Sequence, residues 1–136
     1  MTFEDLAKSY LKKAKVRLEM LKFLYEREAY SDVIREAQEA VELATKAMLR
    51  QRGIEPPKYH EVSSLFFHHK DKFPEISEEE LKRLSKISKY LRKERELAFY
   101  GDIDFIPTEE YTAEEAHWAI EGTEYIISLA ERIFKI

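Results

Sequence analysis

Ser31–Arg52, SDVIREAQEAVELATKAMLRQR, decides the fold class. Val33, Ile34, Ala37, Ala40, Val41, Ala44, Ala47 and Met48 recur at steps of three and four, which puts them on one side of an α-helix. The face is rich in alanine, and small side chains let a neighbouring helix approach closely. The stretch therefore reads as a helix of about Asp32 to Arg52 packed among others. Gly53 suits the left-handed position that ends a helix, and Pro56-Pro57 prevents a restart. Ser31 or Asp32 can cap the front.

The same spacing extends in both directions. A first helix is expected from about Thr2 to Glu28, with Phe3, Leu6, Ala7, Tyr10, Ala14, Leu21, Leu24 and Tyr25 inward. A short helix is expected over His60 to Lys70, with Val62, Leu65 and Phe66 as its apolar side and Phe73-Pro74 as its end. Ser77-x-x-Glu80 and Thr112-x-x-Glu115 are capping boxes. They open a helix that reaches about Phe99 and a last helix that reaches Phe134, with a loop containing Gly101 and Pro107 between them. No stretch alternates with the period of a strand for more than a few residues. The expected fold is all-α, an antiparallel up-and-down four-helix bundle with one additional short helix, and residues 1–136 form a single domain.

The last helix is apolar on two sides. Ala116, Ala119, Ile120, Thr123, Ile127, Ala130 and Phe134 form one stripe; Trp118, Tyr125 and Leu129 lie roughly opposite, with Ile126 and Ile133 between. The second side is expected to be a dimer interface built on Trp118, Tyr125 and Leu129. The weaker alternative is that this helix runs centrally within one subunit.

Composition narrows the function classes. A hydrophobic content of 44% beside a charged content of 37% describes a globular chain with a well solvated surface. The absence of cysteine excludes disulfides and thiolate metal sites. Asparagine is also absent, and Glu and Lys abound, which resembles thermophile usage. The opening MTFEDLAKSY carries acids where a secretory leader would be cationic, and no apolar run reaches membrane-spanning length. The expected location is cytoplasmic, with no membrane partner. Net charge of −4 argues against a wholly electrostatic nucleic-acid binder. The charge is uneven: Leu81–Arg95 holds seven cations and one acid, Glu94, whereas Glu96–Ile136 holds ten acids and two cations. Two mutually attracting solvated helix faces account for this more simply than a partner does.

Specific chemistry is sparse. The histidines are His60, His68, His69 and His117, with no HExxH and no pair at helical spacing. His68 and His69 are adjacent, so their side chains should diverge. No metal and no cofactor is expected. Phosphate-cradling and dinucleotide fingerprints are missing, as is a nucleophile elbow. Lys82, Lys86, Lys89 and Lys93 read as a solvated face. The oddity is Arg95, which falls within about 30° of the centre of the apolar stripe Leu84, Ile87, Leu91 and Ala98. A cation there must be paired, or must face a wet cleft or a partner. Asp102 and Asp104 stand just beyond the helix and could fold back to it.

Taken together, SDVIREAQEAVELATKAML, a proline-bearing turn into YHEVSSLF, then LRKERELAFYGD and YTAEEAHWAIEGTEYI, resemble a HEPN domain over about Leu6 to Arg132. The LR-x-x-R-x-x-A-x-Y-G arrangement looks most like the stand-alone prokaryotic branch found beside minimal nucleotidyltransferases. The resemblance implies a dimeric helical bundle working with nucleotides or RNA, often within a toxin–antitoxin system. Many members are metal-independent ribonucleases marked by an Arg followed, after four to six residues, by a His. Arg95 matches that arginine, but the histidine positions hold Tyr100, Gly101 and Asp102, and a start at Arg92 fails too. The expectation is a homodimer that binds a nucleotide, or a nucleotidyltransferase-type partner, at a polar cleft of Arg95, Tyr100 and Asp102. The alternatives are a ribonuclease toxin using Arg95 with Tyr100 or His60, and a scaffold without a ligand.

Overall fold

Local chemistry sets most helix boundaries. The computed structural model describes residues 2–56, 58 and 62–136, and of Phe3 the backbone alone. The elements are α1 (Phe3–Glu26), α2 (Tyr30–Gln51), α3 (Ser63–His68), a 3-10 turn (Lys70–Lys72), α4 (Glu78–Phe99), α5 (Pro107–Glu110) and α6 (Ala113–Phe134). Both expected capping boxes form, with the Ser77 and Thr112 hydroxyls each accepting a backbone N–H at 3.1 Å. A third, unexpected box joins Thr2 and Asp5 at the start of α1.

The α1–α2 turn differs from the expected Ser31 or Asp32 cap. Ala29 occupies the N-cap position with no side-chain bond, and Ser31 is buried. The turn is fixed from the other side. Glu28 takes a left-handed φ of 58°, its N–H donates to the Tyr25 carbonyl, and the Ala29 N–H donates to the Leu24 carbonyl. This is a Schellman closure that satisfies the last carbonyls of α1 and starts α2 two residues early. The same pair of bonds ends α2, through Gly53 and the buried Ile54, as the glycine suggested.

Four long helices pack together, with α2 touching α1, α4 and α6. All eight residues expected on its inner face are buried. Thr45 and Thr123 enter the core by donating to the Val41 and Ala119 carbonyls at 2.9 and 2.8 Å. On α1, Leu11 and Leu18 join the apolar face beyond the expected residues. On α3, Val62 and Phe66 pack inward, and Phe66 meets Phe73 at 4.9 Å. The helix is shorter than expected because it passes into the 3-10 turn; His60 lies outside the described residues.

The second side of α6 is largely consumed within the chain. Leu129, Ile126 and Ile133 are buried among α6's own neighbours, so Leu129 presents no surface to a partner. Gly122 marks a close approach of α4: a Cβ there would stand 3.0 Å from Ile87 Cγ2. Among the described residues no helix is long and apolar enough to cross a membrane.

Gly101 turns the chain out of α4. Its φ is 71°, and a Cβ would come within 2.5 Å of the Phe105 carbonyl and 2.6 Å of Pro107 Cδ, so only glycine fits. Asp102 and Phe105 then exchange backbone bonds of 2.9 and 3.0 Å. Ile103 stands 92% exposed within this turn, an unusual place for so large an apolar side chain.

Candidate functional site

Arg95 lines a cleft of 610 Å³ between α2 and α4. From α2 come Glu39 and Glu42, from the following loop Lys58, and from α4 Arg92, Lys93, Arg95 and Glu96. Helical spacing explains the placement: Arg95 lies one turn beyond the buried Leu91 and nearly one turn before the buried Ala98. It therefore points between the helices at the level where their separation leaves room. Above it, the Arg35 guanidinium lies 5.2 Å from the Phe99 ring and ties the start of α2 to the end of α4.

Charge in the cleft is lopsided once partners are assigned. Glu39 is held by Arg35 at 2.6 Å. Glu42 is held by Lys46 at 3.0 Å and accepts from Gln38 Nε2 at 3.2 Å. Burial pushes the Glu42 carboxyl up, but Lys46, Gln38 and the Arg95 charge together outweigh it and hold the group below its ordinary range. Both acids thus find their counter-ions on α2 itself. Arg95 is half-buried and makes no hydrogen bond or ion pair among the described residues. Lys58 and Lys93 make no ion pair there either. Glu96, which also lines the cleft, has no ion pair among the described residues, but Lys58, Lys93 and Arg95 outnumber it, so the uncommitted charge is net cationic, which suits a phosphate or another anion. A small recess joins the floor, where Gln38, only 5% exposed, keeps Oε1 without a partner.

The three residues expected to form one polar cleft do not come together. Tyr100 is 79% exposed, sits edge-on to Phe99 at 4.7 Å, and is not part of the cleft wall. It follows Arg95 by five residues, which is about 140° around a helix, and Gly101 then turns the chain away. Asp102 is exposed, and its Oδ1 accepts the Ile103 N–H at 2.7 Å, stabilising the turn. Neither Asp102 nor Asp104 pairs with Arg95.

The other candidates separate as well. His68 and His69 do not diverge: their rings meet edge-on at 4.8 Å where the helix passes into the 3-10 turn. His117 Nε2 lies 3.0 Å from Glu121 one turn along α6. Among the described residues no three His, Asp or Glu side chains are grouped to hold a metal ion. Trp118 remains 37% exposed and packs edge-on to Tyr90, and Tyr125 lies under the Arg83 guanidinium at 3.9 Å. Sequence reading missed Glu39, Glu42, Gln38 and Lys58. The available signal was Gln38-x-x-x-Glu42, which borders the Val41 stripe at helical spacing.

Comparison with curated proteins gives no match. The family model described as the HEPN domain, by contrast, matches residues 7–133, spanning all four long helices except the first turn of α1 and the end of α6. A match over nearly the whole chain, on an all-α bundle whose cleft carries the arginine that prompted the resemblance, makes this chain a member of the HEPN domain family.

Proposed function

We propose that this HEPN protein is a binding component, and that the Arg95 cleft takes a phosphate-bearing ligand, a nucleotide or an RNA end. The observation that carries the reading is the uncommitted Arg95 guanidinium, flanked by Lys58 and Lys93 in a cleft whose acids on α2 are already neutralised. Arg95 is half-buried and makes no hydrogen bond or ion pair among the described residues, and an anionic ligand supplies such a partner. The protein acts as a homodimer with a nucleotidyltransferase-type partner, in a toxin–antitoxin arrangement. Leu97, Phe99, Tyr100, Ile103 and Ile106 are all exposed around the α4–α5 turn and offer more apolar surface for association than Trp118 and Tyr125 do.

Calorimetric titration with nucleoside mono-, di- and triphosphates and with a short single-stranded RNA tests the ligand. Expected is saturable binding that weakens with salt and is lost in Arg95→Ala. Binding that Arg95→Ala leaves intact would remove the basis of the assignment.

A ribonuclease reading keeps one specific support. Lys58 lines the cleft, and His60 follows it by two residues, outside the described part of the chain. The reading needs an imidazole in place of the missing motif histidine as general base. Tyr100, exposed and outside the cleft wall, gives that reading less support.

A further inference from the structure

A second recess, of 380 Å³, opens on another face of α4 and is lined by Tyr90, Glu114, Glu115 and Trp118. Tyr90 and Arg95 are about 140° apart around the helix, so the two openings are separate. The Tyr90 and Trp118 rings meet at 4.8 Å and 79°, forming a corner of two nearly perpendicular aromatic faces. Carboxylates stand around it. Glu115 accepts from the Tyr90 hydroxyl at 3.3 Å and from the Thr112 backbone and hydroxyl at 3.1 and 3.2 Å. Glu94 accepts from the Tyr111 hydroxyl at 3.2 Å. All these donors are neutral. Glu94, Glu114 and Glu115 make no ion pair among the described residues. Burial and the charges of Glu115 and Glu94 push the Tyr90 hydroxyl up to about 12, in keeping with negative surroundings. The nearby Lys86 opens onto a different recess, beside Arg83 on the other side of Trp118.

We infer that this recess binds an organic cation, an alkylammonium or guanidinium head on an aliphatic stem. Aromatic faces attract such a head through their quadrupole, and unpaired carboxylates add to the field. An inorganic ion fits less well, because Glu115 is engaged by hydrogen bonds and no three ligating side chains converge among the described residues. The head can come from a free amine or from a lysine or arginine side chain of a protein. The inference does not depend on the Arg95 cleft.

Trp118 is the chain's one tryptophan, so its emission reports on the recess directly. Full-length protein is titrated with choline, with N-acetylarginine amide, and with dimethylbutanol, the uncharged carbon isostere of choline. Expected is saturable quenching by the two cations and none by the isostere. Tighter binding of choline indicates a free amine, and tighter binding of the arginine amide indicates a protein side chain. Tyr90→Phe keeps the aromatic face and should bind like the wild type, whereas Tyr90→Leu should weaken binding about tenfold. Glu114→Gln, at an exposed position, leaves the fold intact and should weaken it about threefold. Equal quenching by dimethylbutanol, a response that never saturates, or full affinity in both Tyr90→Leu and Glu114→Gln overturns the inference.

Discussion

Two half-buried arginines of this chain should respond oppositely to truncation. Arg52 is fully engaged: Nη1 donates to the Lys72 carbonyl at 2.6 Å and to Glu75 Oε1 at 3.0 Å, and Nη2 donates to Glu75 Oε2. Hydrogen bonds to charged groups contribute about 1.5–3 kcal/mol each when well shielded. Here the partial exposure of the pair screens them, leaving about 1–2 kcal/mol for Arg52→Ala as a whole. Arg95 has no such bonds. Its truncation removes the packing of its aliphatic stem between α2 and α4 and its attraction for the Glu42 carboxylate, which keeps Lys46 and Gln38 as partners. Arg95→Ala should therefore cost less than about 1 kcal/mol, and less than Arg52→Ala, while abolishing ligand binding. Urea denaturation of the wild type and both variants, compared at equal slope, measures the difference. If Arg95→Ala lowered the midpoint by as much as Arg52→Ala with the slope unchanged, Arg95 would be a structural ion-pair member and the functional reading of the cleft would lose its support.

Other outcomes follow from the same geometry. Gly122→Ala gains about 1 kcal/mol of helix propensity but drives a methyl against the buried, β-branched Ile87; overpacking of about 1–3 kcal/mol should win, and a midpoint rising in urea would show that α4 yields. Arg132 and the Ser77 cap hold the Glu80 carboxyl at about 2 rather than its ordinary 4.5. A depressed folded value stabilises above the unfolded pKa and is lost as pH falls through the folded one, so the thermal-midpoint gap between wild type and Glu80→Gln should shrink from pH 5 toward pH 2, and a constant gap would show the carboxylate charge to be irrelevant. Purified protein should cleave RNA no faster than buffer; metal-independent cleavage abolished by both Arg95→Ala and His60→Ala would establish the ribonuclease reading. Sedimentation equilibrium at micromolar concentration should give a dimer that Ile103→Glu dissociates, and a monomer at every accessible concentration rules the dimer out.

Much of the fold was legible because it is written in short-range signals. The eight apolar positions of α2, the two capping boxes and Gly53 each act within a few residues, so reading them needs no tertiary knowledge. The start of α2 was misread because Glu28 adopts a left-handed conformation without being glycine, which nothing in its side chain announces. The site was only half legible. Arg95 betrayed itself as a cation on an apolar stripe, but Tyr100 and Asp102 were grouped with it by proximity in sequence. The cleft is built across α2 and α4, so its opposite wall, Glu39 and Glu42, comes from a helix whose nearest approach is set by packing. Likewise, whether Leu129 faces a second copy or the chain's own core depends on how α4 and α6 cross, and the one sequence hint was Gly122 opposite Ile87.

The tight closure between α1 and α2 also bears on the order in which the molecule assembles. Two long helices joined by the three residues Arg27–Ala29 need almost no loop entropy to meet, so their pairing is the cheapest tertiary event open to the chain. α4 can join only after the chain has crossed the proline-bearing segment and α3, a longer search with a later reward. The two walls of the Arg95 cleft thus belong to different stages of assembly, one laid down with the helical hairpin and the other supplied by a later docking step. A ligand spanning both walls acts as a clasp on that step: it leaves the hairpin's formation untouched and slows the departure of α4, so its effect is expressed in the unfolding rate.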